Sequence, residues 1–208
     1  MPLIMSWLEG SERRIELLPC GPGHGEIVLV ALQVTTRSPL GAIAYATGGI
    51  LVDDGWIRIL GAGSAKLARS LASWNGLPCG AGEAFLPGAM FVADDAIGGM
   101  YALDGGALGG TRGNVCYFAP DTLTWEDTRL GYSDWLHWAF TGDLETFYSG
   151  WRWPGWRSEV ASLAGTHAYS IQPFPWLAGK PIVERDRRLI PIRELRDLQL
   201  KLASAVPS

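Results

Sequence analysis

The sequence predicts an α+β domain with a central antiparallel sheet flanked by helices. Three observations carry that expectation. Twenty-seven Gly and 13 Pro punctuate the chain too often for a helical bundle. Between residues 50 and 125, short apolar runs rich in Ile, Val and aromatic residues alternate with Asp and Gly breaks, as short strands do. Most of those breaks are too short for the crossover of a dozen or more residues that a parallel pair needs, so sequential strands run antiparallel.

At the start of the chain, residues 2–10 suit a short helix and 14–18 a strand, and Gly21-Pro22-Gly23 breaks the chain. The apolar stretch 26–34 is read as a buried helix, although its Ile and Val content also suits a strand. Ser38 is placed to cap a helix with Pro39 at its first position, running to about Thr47 and ending at Gly48-Gly49.

In the middle, residues 50–52 and 56–60 flank Asp53-Asp54-Gly55, a strong hairpin signal. A turn of helix over 70–75 and a Gly/Pro-rich loop over 76–88 follow. Residues 89–93 and 100–103 read as strands joined by 94–99, 114–119 as a third and 124–127 as a fourth. Helices are expected over 133–141, capped by Ser133, then over 143–148 and 156–163. Residues 164–190 look irregular. Pro191 opens a final helix with Ile192, Leu195, Leu198 and Leu202 inward and Arg193, Arg196, Asp197 and Lys201 facing water. The C-terminal part is therefore expected to be a helical and irregular extension of one domain spanning residues 1–208.

The chain has 208 residues, 48% of them hydrophobic and only 18% charged, which suits one large domain with a sizeable core and argues against disorder. Net charge is −4, and no run of like charges offers a footprint for nucleic acid. No apolar window is long enough to span a membrane, and the first residues lack the basic start of a signal peptide. The three cysteines, Cys20, Cys79 and Cys116, are odd in number and far apart, which fits buried thiols in a reducing, cytoplasmic compartment.

No cofactor motif and no catalytic constellation emerges. His24-Gly25-Glu26 matches half of a zinc-deaminase signature, but Gly82 stands where the second cysteine after Pro78-Cys79 is required. Gly21-x-Gly23 and 109–113 are Gly-rich without phosphate-loop spacing. Cys20 and His24 are near in sequence but lack a third, orienting group. Asp94-Asp95 and Asp104 stand at the ends of neighbouring strands. Paired carboxylates there suit a metal or acid–base work, whereas turn chemistry explains them more simply. Ten tryptophans are the oddest feature, and Trp151, Trp153 and Trp156 fall within six residues, with Arg152 and Arg157 between and after them. Trp and Arg anchor binding hot spots, large aromatics plug cores, and exposed indole faces make sugar platforms. The residues leave all three readings open.

Several runs resemble an uncharacterised bacterial family, domain of unknown function 2625. They include 32–42 (Leu-Gln-Val-Thr-Thr-Arg-Ser-Pro-Leu-Gly-Ala), 48–53, 56–61, Val92-Ala93-Asp94-Asp95, 113–115, 117–123, Trp125-Glu126, 131–134 and Arg152-Trp153-Pro154-Gly155-Trp156. More distantly, the middle third resembles the SUKH superfamily. The carriers are the helix 42–49 with its Gly-Gly end, the hairpin 91–101, Gly113-Asn114-Val115 and the capped helix 133–140. That resemblance implies an antiparallel sheet flanked by helices and no catalytic residues. For many members it implies a role as immunity proteins that bind a protein toxin. Three functions are thus expected to compete: a non-catalytic protein-binding module; a hydrolase using Asp94, Asp95 or Asp104; and a small-ligand or sugar binder using Trp151, Trp153 and Trp156.

Overall fold

The computed structural model describes residues 2–77 and 85–205. The expected loop 76–88 therefore lies partly, and Cys79 wholly, outside the described residues. Seven strands form one antiparallel sheet: β1 (Ile15–Leu18), β2 (Gly49–Val52), β3 (Ile57–Leu60), β4 (Ala89–Asp95), β5 (Met100–Asp104), β6 (Asn114–Ala119) and β7 (Thr124–Gly131). Their order in space is their order in sequence, a meander that needs no crossover. The α+β class and the antiparallel arrangement match the expectation.

Local chemistry explains most of these elements. The β2–β3 turn holds Asp53, Asp54 and Gly55 at φ 50°, 59° and 95°. Asp tolerates that left-handed region because its side chain bonds locally, and Gly has no Cβ to clash. Helix α1 (Pro2–Glu9) precedes β1, and α2 (His24–Leu32) and α3 (Pro39–Ala46) precede β2. Ser38 caps α3 by accepting from the Gly41 N–H at 3.1 Å. Ser70 and Ser73 cap the short α4 (Leu71–Trp74) reciprocally. In β4 the register slips between Phe91 and Ala93, and the Asn75 side chain fills the gap: it donates to the Phe91 carbonyl and accepts from the Phe91 N–H, both at 2.8 Å.

One face of the sheet, that of Tyr101 and Tyr117, is covered by α5 (Tyr132–Thr141), which buries Trp135, Leu136, Ala139 and Phe140. Short helices α6 (Leu144–Phe147) and α7 (Trp156–Ala161) follow. Two further strands, β8 (His167–Gln172) and β9 (Asp186–Pro191), form a separate antiparallel pair, and α8 (Ile192–Ala205) closes the described chain. Among the described residues no helix is long and apolar enough to cross a membrane.

Five expectations need correction. Residues 164–190 are not irregular, because they contain β8 and most of β9; β9 is charged and mostly exposed, so it carries no apolar alternation. Ser133 is not the cap of α5. Strand β7 runs on to Gly131 after a slip in its pairing with β6, so Gly131 takes the cap position and Ser133 falls inside the helix. Pro191 ends β9 rather than opening α8, which begins at Ile192. In α8 the buried stripe is Ile192, Leu195, Arg196 and Gln199, with Leu198 and Leu202 only half-buried. Arg196 turns inward because the Trp74 and Phe85 rings receive its guanidinium, at 4.2 and 3.4 Å. Helix α2 exists but is not buried: Ile27 and Val30 are exposed, and the helix meets α3 through Gly25, where a Cβ would strike the Tyr45 carbonyl.

Candidate functional site

The three carboxylates at strand ends do not form a site together. Asp94 and Asp95 are successive in β4 and so point to opposite faces. Asp104 lies opposite Ala89, at the far end of the β4–β5 hairpin. All three are enclosed, at 0%, 0% and 2% exposure. Asp94 is gripped by Arg58 Nε and by Arg69 Nη2, each at 2.6 Å. Arg58 also donates to the His167 and Asp95 carbonyls, and Arg69 to the Gly165 carbonyl. This trio therefore bolts β3 and β4 to the segment that enters β8. Burial lowers the Arg69 pKa to about 10, with help from Arg58 and Arg196 and against the pull of Asp94.

Asp95 faces the α5 side. Its Oδ1 accepts from the Ile97 and Gly99 N–H groups, at 3.1 and 2.7 Å. Its Oδ2 accepts from the Tyr117 and Tyr148 hydroxyls, at 2.8 and 3.2 Å. Burial raises its pKa to about 6, and the Tyr117 hydroxyl and the Gly99 and Ile97 N–H groups moderate that rise. Asp104 accepts from the backbone N–H groups of Gly106, Ala107, Leu108 and Gly110. Burial works against those four donors, which still hold its pKa below the ordinary value. Its work is to fold the connection between β5 and β6, as turn chemistry predicts.

The Trp-rich segment is mostly core. Trp153 and Trp156 are buried and Trp151 is half-buried. Trp56, after the Asp53 turn, packs against Trp153 at 5.7 Å and Trp156 at 5.0 Å. Trp153 also meets Tyr169 of β8 at 5.2 Å, and its indole N–H donates to Glu159. These two indoles plug the seam between the sheets and offer no open platform.

The charged member of this segment is Arg152, whose side chain is only 5% exposed. Its guanidinium lies over the Trp156, Trp56 and Tyr148 rings, at 4.3, 5.1 and 5.3 Å. Its tips reach Asp53 Oδ2 at 2.7 Å and Glu145 at 2.7 Å. Arg13 reaches the same Asp53 oxygen at 3.2 Å and donates to the Gly142 carbonyl. Arg157 lies over the Trp156 ring at 4.4 Å and approaches Asp54 at 3.3 Å and Glu145 at 3.5 Å. Arg14 pairs with Asp54 at 3.4 Å. These charges border a cleft of about 560 Å³ lined by Ser11, Glu12, Arg13, Arg14, Asp53 and Arg157 among others. The cleft is polar and its hydroxyls are engaged: Ser11 donates to the Phe140 carbonyl and Thr141 to the His137 carbonyl. It has the means to recognise charge. Thr141 Oγ1 also lies 3.4 Å from the His137 Nδ1, one turn away on α5, but its hydrogen goes to the His137 carbonyl.

Cys20 and His24 line another groove of about 500 Å³, with Ser64 and Ser70. The Cys20 thiol donates to the Gly21 carbonyl, and His24 is exposed. Among the described residues no group of three His, Cys, Asp or Glu could hold a metal ion.

The sequence marks Arg152 as a candidate, but the ionic cleft of Asp53, Arg13, Arg14 and Arg157 becomes visible only in the fold. In the chain Asp53 looks like turn chemistry alone, and Arg13 and Arg152 lie 40 and 99 residues from it. One signal was available for the buried trio: Arg58 stands within Trp56-Ile57-Arg58-Ile59-Leu60, and a charge inside an apolar strand demands a partner.

Among known proteins, the family described as "Protein of unknown function DUF2625" matches residues 1–195. An uncharacterised Escherichia coli protein, YbfG, is 44% identical over 201 residues, covering 97% of this chain and 90% of the relative. An uncharacterised Haemophilus influenzae protein is 38% identical over 170 residues, covering 82% of this chain and 75% of the relative. No solved structure matches.

Proposed function

The chain belongs to the DUF2625 family, and from that premise we propose that it is a non-catalytic protein-binding module, of the toxin-neutralising kind that the SUKH resemblance implies. The observation that carries this reading is the contrast in availability between its charged groups. Asp94, Asp95 and Asp104 are enclosed and fully engaged. At the ionic cleft Arg14 and Arg157 keep 76% and 45% of their side chains exposed, and Glu145, paired with Arg157 beside the cleft, keeps 63%. Exposed charges of both signs on a preorganised wall set register and speed encounter with a protein partner. A hydrolase built on the three carboxylates, or a sugar platform built on Trp153 and Trp156, needs groups that this geometry encloses.

The test is capture and protection. The full chain serves as bait for the products of genes adjacent to its own, and is co-expressed with any of them that is toxic. The expected result is capture of one product and rescue of growth, with Arg14→Glu/Arg157→Glu weakening capture about ten-fold or more. Failure to capture any of these products, together with failure to protect, ends the proposal.

A further inference from the structure

The β6–β7 edge of the sheet carries a smaller cavity, of about 230 Å³, whose walls differ in kind from those of the ionic cleft. Its lining includes Tyr117, Trp138, Phe147, Glu126 and Asp127. We infer that this cavity binds a small organic ammonium ion.

The rings come first. Phe147 meets Tyr117 at 5.3 Å with an interplanar angle of 67°, and Trp138 at 4.9 Å with an angle of 77°. Rings set at such steep angles wall a box instead of forming a stack. Aromatic faces carry negative quadrupole charge, and aromatic boxes of this kind receive alkylammonium groups. Tyr117 donates its hydroxyl to the buried Asp95 carboxylate at 2.8 Å, which leaves its ring richer in electrons.

The charges agree with the rings. Among the described lining residues, Glu126 is the carboxylate on the face of the rings, and no Lys or Arg lines the cavity. Glu126 lies directly across from Tyr117 in the β6–β7 pair, is exposed, and its side chain has no hydrogen bond or ion pair among the described residues. Asp127, the next residue along β7 and opposite Cys116, sends its carboxylate to the other face, where the Thr111 and Arg129 N–H groups and the Asn114 amide hold it. Pairing of β7 with β6 slips just beyond Asp127, and Arg129 there has a left-handed φ of 61°. Such irregularities re-aim side chains beside sites. The volume lies below the roughly 300–1,000 Å³ of drug-sized pockets, which suits a compact head group better than a nucleotide or flavin.

The experiment is an NMR titration of the full chain, following the Trp138 indole N–H, assigned as the resonance lost in Trp138→Phe. Choline is the probe, and 3,3-dimethylbutan-1-ol is its neutral isostere. A saturable shift with choline is expected, with binding of the neutral analogue about ten-fold weaker. Phe147→Leu keeps apolar bulk, removes the π face and is expected to abolish the shift; being exposed, Phe147 tolerates the change. Glu126→Gln is expected to weaken binding about two- to five-fold, while Glu194→Gln, on exposed α8 surface, leaves it unchanged. No saturable shift with choline overturns the proposal. So does equal binding of the neutral analogue, which marks a merely apolar slot, or equal weakening by the Glu194 variant, which marks diffuse attraction.

Discussion

Asp53 and Asp94 hold the same chemistry in two different settings. Each carboxylate is enclosed and each is gripped by two guanidiniums: Asp53 by Arg13 and Arg152, Asp94 by Arg58 and Arg69. Around Asp94 both arginines also donate to backbone carbonyls of the other sheet's approach segment. Around Asp53 and the neighbouring Asp54, Arg14 and Arg157 continue outward to the cleft and meet water there. One unit is a bolt between layers and the other is the root of a surface. A buried ion pair stabilises little relative to apolar packing, but it is costly to break from one side. Asp94 therefore guards geometry between layers, whereas the equally enclosed Asp53 anchors Arg13 and Arg152 beneath a wall whose outer charges, Arg14 and Arg157, are exposed.

The largest expected effect breaks the bolt. Asp94→Asn leaves two buried guanidiniums uncompensated and should destabilise the protein by about 3–5 kcal/mol in urea unfolding. It should also release the second sheet first, seen as faster hydrogen exchange at the Tyr169 N–H, which donates to the Ala96 carbonyl. A loss well under 1 kcal/mol would erase the distinction between the two aspartates.

The neighbouring Asp95 sharpens the contrast, because it faces hydroxyls and amides instead of guanidiniums. Its folded pKa of about 6 lies above the ordinary 3.8. The folded state therefore holds the proton more tightly than the unfolded chain. The resulting stabilisation is complete below about pH 4 and lost as pH rises through about 6, amounting to about 3 kcal/mol. Asp95→Asn removes this contribution. The stability difference between wild type and variant should thus fall by about that amount from pH 4 to pH 7, and a constant difference would refute the burial argument.

On the other side of the comparison, Gly55 has φ 95° in the turn that presents Asp53. Gly55→Val should cost about 1–3 kcal/mol through backbone strain, and should disturb the chemical shifts of Arg13 and Arg152 before those of Arg58. Arg157→Ala is the mildest test. Its side chain is 45% exposed, so the loss should stay within about 0.5 kcal/mol and shrink with added salt. A larger, salt-independent loss would make the cleft another bolt.

The sequence by itself determined the meander. Turn residues such as Asp53-Asp54-Gly55, caps such as Ser38 and Ser70, and short breaks between apolar runs act within a few residues, so their pattern is readable without the fold. Asp104 belongs here too, because its partners lie two to six residues away. Tertiary structure decided the rest. Strand β9 is a strand because β8 lies beside it, not because its own Asp-Arg-Arg-Leu-Ile-Pro run alternates. Arg196 is buried because Trp74 and Phe85 supply ring faces from far upstream. Asp53 joins Arg13 and Arg152 across 40 and 99 residues. Ion pairs and cation–π contacts depend on distance in space, and a side chain that can satisfy several partners leaves no periodic mark in the chain to say which one it will meet.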